Sequence, residues 1–252
     1  MFSLAGKTAL VTGATRSLGA AMTIALAEAG ADIISIQRSE SNTTTKHAVE
    51  ALGRTYTIYT ADLSSRPSLQ RILPQILSSH PTINILLNCA GIVDRDPVIS
   101  SSLEDYDRLF QINVTSVWLL CQAVAKSWIE KGQKGKIVNV SSILGFRGSA
   151  GQAPYAMSKG TLELMTRSMA NEWAGKGINV NNIAPGYCAT DMNEDLIQGG
   201  SKDFTTDGNG RIPAGRWGKP EDFKGPVVFL ASGASEWVHG ETLIVDGGYM
   251  TN

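Results

Sequence analysis

The sequence has few cysteines, few histidines, almost no net charge and no long apolar run. Its three cysteines, Cys89, Cys121 and Cys188, are far apart and odd in number, which argues against a disulfide framework and fits a reducing compartment. His47, His80 and His239 are scattered without metal-ligand spacing, so no metal site is expected. With 22 basic and 23 acidic side chains the formal net charge is −1, so no broad footprint for nucleic acid or an acidic membrane is expected. No stretch reaches the ~20 apolar residues of a membrane span, and Met1 to Lys7 lacks the apolar core of a signal segment. Repeats, low-complexity tracts and linkers are missing too. The expectation is a soluble cytoplasmic protein forming a single domain over residues 1–252, with 42% apolar residues to build a large core.

What is present is an alternation of strand-like and helix-like segments. Apolar or β-rich runs at Lys7–Thr12, Asp32–Gln37, Thr55–Thr60, Ile83–Leu87, Lys136–Val140, Ile178–Ala184 and Thr242–Val245 read as strands. Helical patterns lie between them: Leu18–Ala29 stopped by Gly30, Pro67–Ser79 with an internal Pro74 that should kink or interrupt it, one long helix over Leu103–Lys131, Gln152–Trp173, and Pro220–Ala231 with proline at its first position. Strands that look buried on both faces and alternate with helices predict an α/β fold, a doubly wound parallel sheet of Rossmann type. The glycine-rich stretch at about 188–217 has no clean period and is expected to be a substrate lid.

In such sheets ligands sit beyond the carboxyl ends of the strands. Gly13-Ala-Thr-Arg-Ser-Leu-Gly19 joins the first strand to the first helix, the setting of a phosphate-binding turn. Asn88 to Gly91, Ser142 and Pro185-Gly186 also fall at strand ends and should line the same crevice. Tyr155 and Lys159 are four residues apart, on one face of a helix. Free tyrosine titrates near ~10; a lysine beside it favours the phenolate and makes a proton donor suited to a hydroxyl or carbonyl. Asn113 is a polar residue inside an otherwise apolar helical stretch, and its neighbours suggest burial.

Together these segments resemble a short-chain dehydrogenase/reductase, over nearly the whole chain. The motifs are Thr12-Gly13-(x3)-Ser17-Leu18-Gly19, Asn88-Cys-Ala-Gly91, Asn113, Ser142 thirteen residues before Tyr155, Tyr155-(x3)-Lys159, and Pro185-Gly186-(x3)-Thr190. The resemblance implies an NAD(P)-dependent enzyme interconverting a secondary alcohol and a ketone. It implies Tyr155 as acid/base, Ser142 as the residue orienting the reacting oxygen, Lys159 on the nicotinamide ribose, and Asn113 holding a water that relays protons to Lys159. It places Gly13, Arg16, Ser17, Leu18 and Gly19 at the pyrophosphate side, and Asp62 and Leu63 at the adenine. Asn88, Ala90 and Gly91 fall at the adenosine ribose and sheet; Pro185, Gly186, Cys188 and Thr190 fall at the nicotinamide. Ser17 stands where the family has glycine. If that position needs φ > 0, serine costs about 1–2 kcal/mol; alternatively its hydroxyl contacts a phosphate or ribose.

Asn171-Glu-Trp173, Ile178 to Pro185 and Arg211 to Gly218 resemble the family's sugar-acid branch. The expected substrate is a sugar acid or a related small hydroxy or keto compound, bound by Arg147, Tyr187, Arg211 or Arg216. Alternatives are a reductase of other small ketones or 3-oxoacyl thioesters and, in a different class, a non-catalytic cofactor-sensing or scaffold protein. Cofactor choice turns on the end of the second strand. Gln37 stands where NAD enzymes usually place a carboxylate, and Arg38 and Arg16 could bracket a 2′-phosphate; NADP(H) is favoured and NAD(H) possible. Resemblance and the aromatic-bearing long helix (Phe110, Trp118, Trp128) lead to an expected homotetramer.

Overall fold

Alternate residues of each strand pack apolar side chains on opposite faces of one sheet, and that periodicity sets the architecture. The structure, a computed structural model, describes residues 1–193 and 212–251. Of the expected lid, 194–211 lie outside the described residues, Arg211 among them. The strands are β1 (Thr8–Thr12), β2 (Asp32–Gln37), β3 (Tyr56–Thr60), β4 (Ile83–Asn88), β5 (Gly135–Val140), β6 (Ile178–Pro185) and β7 (Thr242–Val245). They form one parallel sheet in the order β3-β2-β1-β4-β5-β6-β7. The helices are α1 (Ser17–Glu28), α2 (Thr44–Ala51), α3 (Arg66–Ser79), α4 (Leu103–Phe110), α5 (Ser116–Lys131), α6 (Ala153–Trp173) and α7 (Lys224–Ala231). Ala9, Val11 and Ile33 pack with Met22 and Leu26 of α1 and Val227 of α7. Leu10, Ile34 and Leu86 pack on the other side with α3, α5 and α6. The strand order reverses between β1 and β4, so a crevice opens there at the strands' carboxyl ends.

Two helices depart from the sequence expectation. Helix α3 runs on through Pro74; Pro74 and Gln70 are both exposed, so the carbonyl that loses its partner lies on the solvent side of the helix. The long helix over Leu103–Lys131 is two helices joined by a π-helical turn, Gln111–Thr115. The extra residue of such a turn re-aims side chains, and here it carries Asn113, which is fully buried. Trp128 is also a core residue, 1% exposed, with its indole N–H donating to Ile83 O at 2.6 Å. Of the three aromatics expected to face a partner, Trp118 alone is well exposed, at 47%.

A line of polar side chains crosses the sheet beneath α6. Asn88, Asn139, Asn182 and Thr242 are register neighbours on β4, β5, β6 and β7. Asn88 Nδ2 donates to Asn139 Oδ1 (2.8 Å), Asn139 Nδ2 to Thr166 Oγ1 (2.9 Å), and Thr166 Oγ1 to Asn182 Oδ1 (2.6 Å). Asn182 Nδ2 then donates to Thr242 Oγ1 (3.0 Å) and Glu163 Oε2 (3.2 Å), and the Thr242 hydroxyl closes the chain on the same carboxylate. Thr166 and Glu163 belong to α6, so the ladder fixes that helix's height and rotation on the sheet.

Each member satisfies its neighbour, so removing one leaves buried donors and acceptors unmade. Asn139→Ala is expected to destabilise the fold by about 2–4 kcal/mol, read as a lower urea midpoint at unchanged slope. A loss below about 0.5 kcal/mol, the level of an ordinary surface change, would show that the ladder carries no weight.

Candidate active site

Helix α6 starts just beyond the carboxyl end of β5, and its first turns form the wall of a cavity of about 650 Å³. The cavity brings together segments distant in sequence: the turn between β1 and α1, Arg38 after β2, Asp62 and Leu63 after β3, Ala90 and Gly91 after β4, Ser142 after β5, Tyr155 and Lys159 on α6, and Pro185 to Thr190 after β6. These include Gly13, Arg16, Ser17, Leu18, Gly19, Gly186, Tyr187 and Cys188.

The turn before α1 fits a pyrophosphate. A Cβ on Gly13 would lie 2.7 Å from Ala90 N, and one on Gly19 would lie 1.9 Å from Gly13 O, so only glycine lets these backbones meet. Helix α1 has no side-chain cap and no acidic residue in its first turn. Its free N–H groups and positive dipole end therefore remain for an anion. Ser17 is the one non-glycine residue with positive φ among the described residues, at 48°. Its hydroxyl accepts a long bond, 3.4 Å, from Asp191 N, and Arg16 pairs with Asp191 at 3.6 Å. At the far end Gln37 is turned inward: its amide donates to Ser39 O at 2.8 Å and accepts from Ser35 Oγ. That leaves Arg38 as the charged side chain at the end of β2 that lines the cavity.

At the opposite end, Ser142 and Tyr155 line the cavity together; the Ser142 hydroxyl acts on the Tyr155 phenol and accepts from Leu144 N at 3.1 Å. Tyr155 as a residue is half-buried, but its phenol end is enclosed. Burial pushes the phenol above its ordinary value, while the Ser142 hydroxyl and the Arg95 charge pull it down. The expected lowering by Lys159 is not met in this state. Lys159 Nζ lies 5.6 Å from the Tyr155 ring centre and donates to Val140 O at 2.7 Å. Only 4% exposed, it is pulled by burial down to about 8, against smaller upward pulls from Cys89 and Glu163.

Four expected site residues lie outside the cavity lining. Asn88 points into the sheet, bonding Asn139 and Cys121. Asn113 spends its amide on protein: Oδ1 accepts from Ile92 N (2.9 Å), and Nδ2 donates to Ile92 O (2.9 Å) and Ser158 Oγ (3.1 Å). It pins the segment after β4 to α6. Arg147 is exposed, with its guanidinium 5.2 Å from the Tyr249 ring centre. Arg216 is held by both oxygens of Asp222, at 2.7 and 2.9 Å. The cation the sequence reading missed is Arg95. It lines the cavity, acts on the Tyr155 phenol, and donates to Met192 O (3.0 Å) and Asn193 Oδ1 (2.8 Å). The available signal was its place four residues past Gly91, at a strand end where ligands gather, but Asp94-Arg95-Asp96 reads as a solvated loop.

A family described as enoyl-(acyl carrier protein) reductase matches residues 13–250. The chain is 43% identical over 249 residues to the 2-dehydro-3-deoxy-D-gluconate 5-dehydrogenase of Escherichia coli (strain K12), covering 99% of this chain and 97% of that one. It is 37% identical over 246 residues to a 3-oxoacyl-(acyl-carrier-protein) reductase of Vibrio cholerae, covering 98% of each. Among solved structures it is similar to a gluconate 5-dehydrogenase from Burkholderia cenocepacia J2315 in complex with NADP and tartrate. That likeness has 34% identity and a TM-score of 0.93, and covers 100% of this chain and 98% of the other.

Two outcomes follow from the geometry. Ser17→Gly relieves a left-handed serine at the cost of one long hydrogen bond, so the protein should gain about 0.5–1 kcal/mol; an unchanged or lower melting temperature would refute the strain. Lys159 binds its proton more weakly folded, at about 8, than unfolded, near 10.5. Its ammonium therefore costs stability that is fully felt below pH 8 and relieved as pH rises towards 10.5. Lys159→Met should be more stable than wild type at neutral pH by on the order of 2–3 kcal/mol, and the difference should shrink through that window. A difference independent of pH in urea titrations would contradict it.

Proposed function

The chain belongs to the short-chain dehydrogenase/reductase family, and from that premise we propose that it is an NADP(H)-dependent oxidoreductase of sugar acids, interconverting a hydroxy acid and its keto form. It is an NAD(P)-dependent alcohol dehydrogenase/ketoreductase by family. The finer reading rests on one observation: a guanidinium, Arg95, lines the same cavity as Tyr155, and its charge acts on the Tyr155 phenol. A carboxylate placed there would pair with Arg95, while a neighbouring carbon bearing oxygen faces Tyr155 and Ser142. Relatives named for gluconate and deoxygluconate substrates support it, as does the relative solved with NADP and the dicarboxylate tartrate.

A nicotinamide dinucleotide supplies hydride transfer when bound. This chain's residues would hold it through the α1 N-terminus, with Arg16 and Arg38 at a 2′-phosphate, Asp62 and Leu63 at the adenine, and Pro185, Gly186, Cys188 and Thr190 at the nicotinamide. Gln37 lines the cavity with its amide already bonded to Ser39 and Ser35, and it carries no negative charge to repel a 2′-phosphate, which favours the phosphorylated cofactor. In reduction, Tyr155 Oη gives a proton to the substrate oxygen as negative charge develops there, and Ser142 Oγ donates a second hydrogen bond to that oxygen. Lys159 keeps a positive charge behind the phenol, and Asn113 keeps the segment bearing Arg95 in place.

The assembly supporting this reading is a homotetramer. On α5, Trp118 is 47% exposed, and on α6 Met157 and Leu164 are 52% and 67% exposed; these are faces a second copy would cover. No helix among the described residues is long and apolar enough to cross a membrane, and the proposed location is the cytoplasm.

A panel of gluconate-type acids and uncharged ketones, followed with both cofactors, tests the reading. Tyr155→Phe should keep cofactor binding and lose about 10²–10⁴-fold in turnover. Arg95→Met should raise KM for the acids by about 10-fold or more and leave neutral ketones nearly unchanged. Equal effects of Arg95→Met on both classes, or a preference for thioester substrates, would sink the sugar-acid assignment.

A further inference from the structure

Helix α6 carries a second buried charge that the reaction as described does not use. Glu163 is one turn beyond Lys159 on the same buried face, and it is 5% exposed. Its Oε2 is fixed by Asn182 Nδ2 and the Thr242 hydroxyl, so the carboxylate cannot swing to solvent. Its Oε1 is buried and has no hydrogen-bond partner. A carboxylate so placed would be costly unless it served a nearby positive charge.

The groups facing Lys159 are few. On its own helix they are Tyr155 and Glu163, from β5 the Val140 carbonyl, and from the loop after β4 Cys89 and Gly91. Arg95 acts on the phenol. Burial pushes the Cys89 thiol up to about 12, so it is uncharged where Lys159 titrates. Glu163 is then the carboxylate acting on the ammonium.

We propose that Glu163 is a positioning residue for the reaction, a buried counter-ion that keeps Lys159 in its ammonium form inside the cavity wall. The inference rests on the role given to Lys159 above. The polar ladder is what makes it possible: it holds the carboxylate against the sheet, one turn along α6 from the ammonium. The line Glu163–Lys159–Tyr155 thus extends the charged machinery two turns down the helix.

Glu163→Gln keeps the shape and an oxygen that can accept from Thr242 and Asn182, and removes the charge. The alkaline limb of kcat/KM should move to lower pH by about half a unit or more, while Glu163→Asp, which keeps the charge, should stay near wild type. A residue that only braced the ladder would change the height of the profile and not its limb, so an unmoved limb overturns the proposal. Glu163→Met carries the same expectation if the Gln variant fails to fold. A double-mutant cycle of Glu163→Gln with Lys159→Met, read by urea denaturation, needs no turnover. At neutral pH the pair should be coupled by about fivefold or more in the folding equilibrium constant, and additivity would overturn the assignment. Wild type inert on every hydroxy acid and ketone, with coupling intact, would instead refute the functional reading and leave the counter-ion standing.

Discussion

Helix α6 sets a face of mixed polar and apolar side chains on a parallel sheet, and the site depends on that placement. Most helices bury an apolar stripe against a sheet. This one buries Lys159, Glu163 and Thr166 among Leu162, Met165 and Met169. Burying those groups is tolerable because the sheet answers with Asn139, Asn182 and Thr242, and because β5 offers the Val140 carbonyl to the ammonium. A hydrogen-bonded polar interface has one register, whereas an apolar one tolerates sliding. The helix that presents Tyr155 is thereby held at a single height above the strand ends.

The same sheet edge gathers everything else. Because the strand order reverses between β1 and β4, the loops after these strands diverge and leave an opening. Gly13 lets the first turn press against Ala90 and Gly19 lets the helix start close on Gly13, so one wall of the opening is bare backbone with an uncapped helix start. Its two ends differ in chemistry. The outer end holds Arg16 and Arg38 with Asp62; the inner end holds a phenol, a serine and a lysine whose proton is loosened by burial. Arg95 joins the inner end to the segment after β6 through Met192 and Asn193, so the residue proposed to read the substrate also touches the start of the stretch expected to cover it.

Several readings turned on contacts that no local pattern carries. Phe110 to Val117 has the look of an uninterrupted helix, and an extra residue inserted as a π turn leaves no mark in apolar spacing; Asn113 hinted at it only by being polar. Trp118 and Trp128 are ten residues apart on one helix, yet one faces solvent and the other the core. Arg147 and Arg216 were plausible by position and are engaged elsewhere, by Tyr249 and Asp222. Arg95 belongs to no motif in the sequence and is in the cavity wall.

What the sequence determined by itself was the order of strands and helices, the parallel sheet, and the residues at the strand ends, because these follow from local period and from backbone demands at glycine and proline. The spacing of Ser142, Tyr155 and Lys159 belongs here too, since one strand end and one helix turn set it. Tertiary structure alone decided which arginine shares the cavity with the phenol, which asparagines bind a neighbour rather than a ligand, and in which direction burial shifts Tyr155 and Lys159. Those depend on distances between segments tens of residues apart and on the water excluded between them, neither of which is encoded in any short stretch of chain.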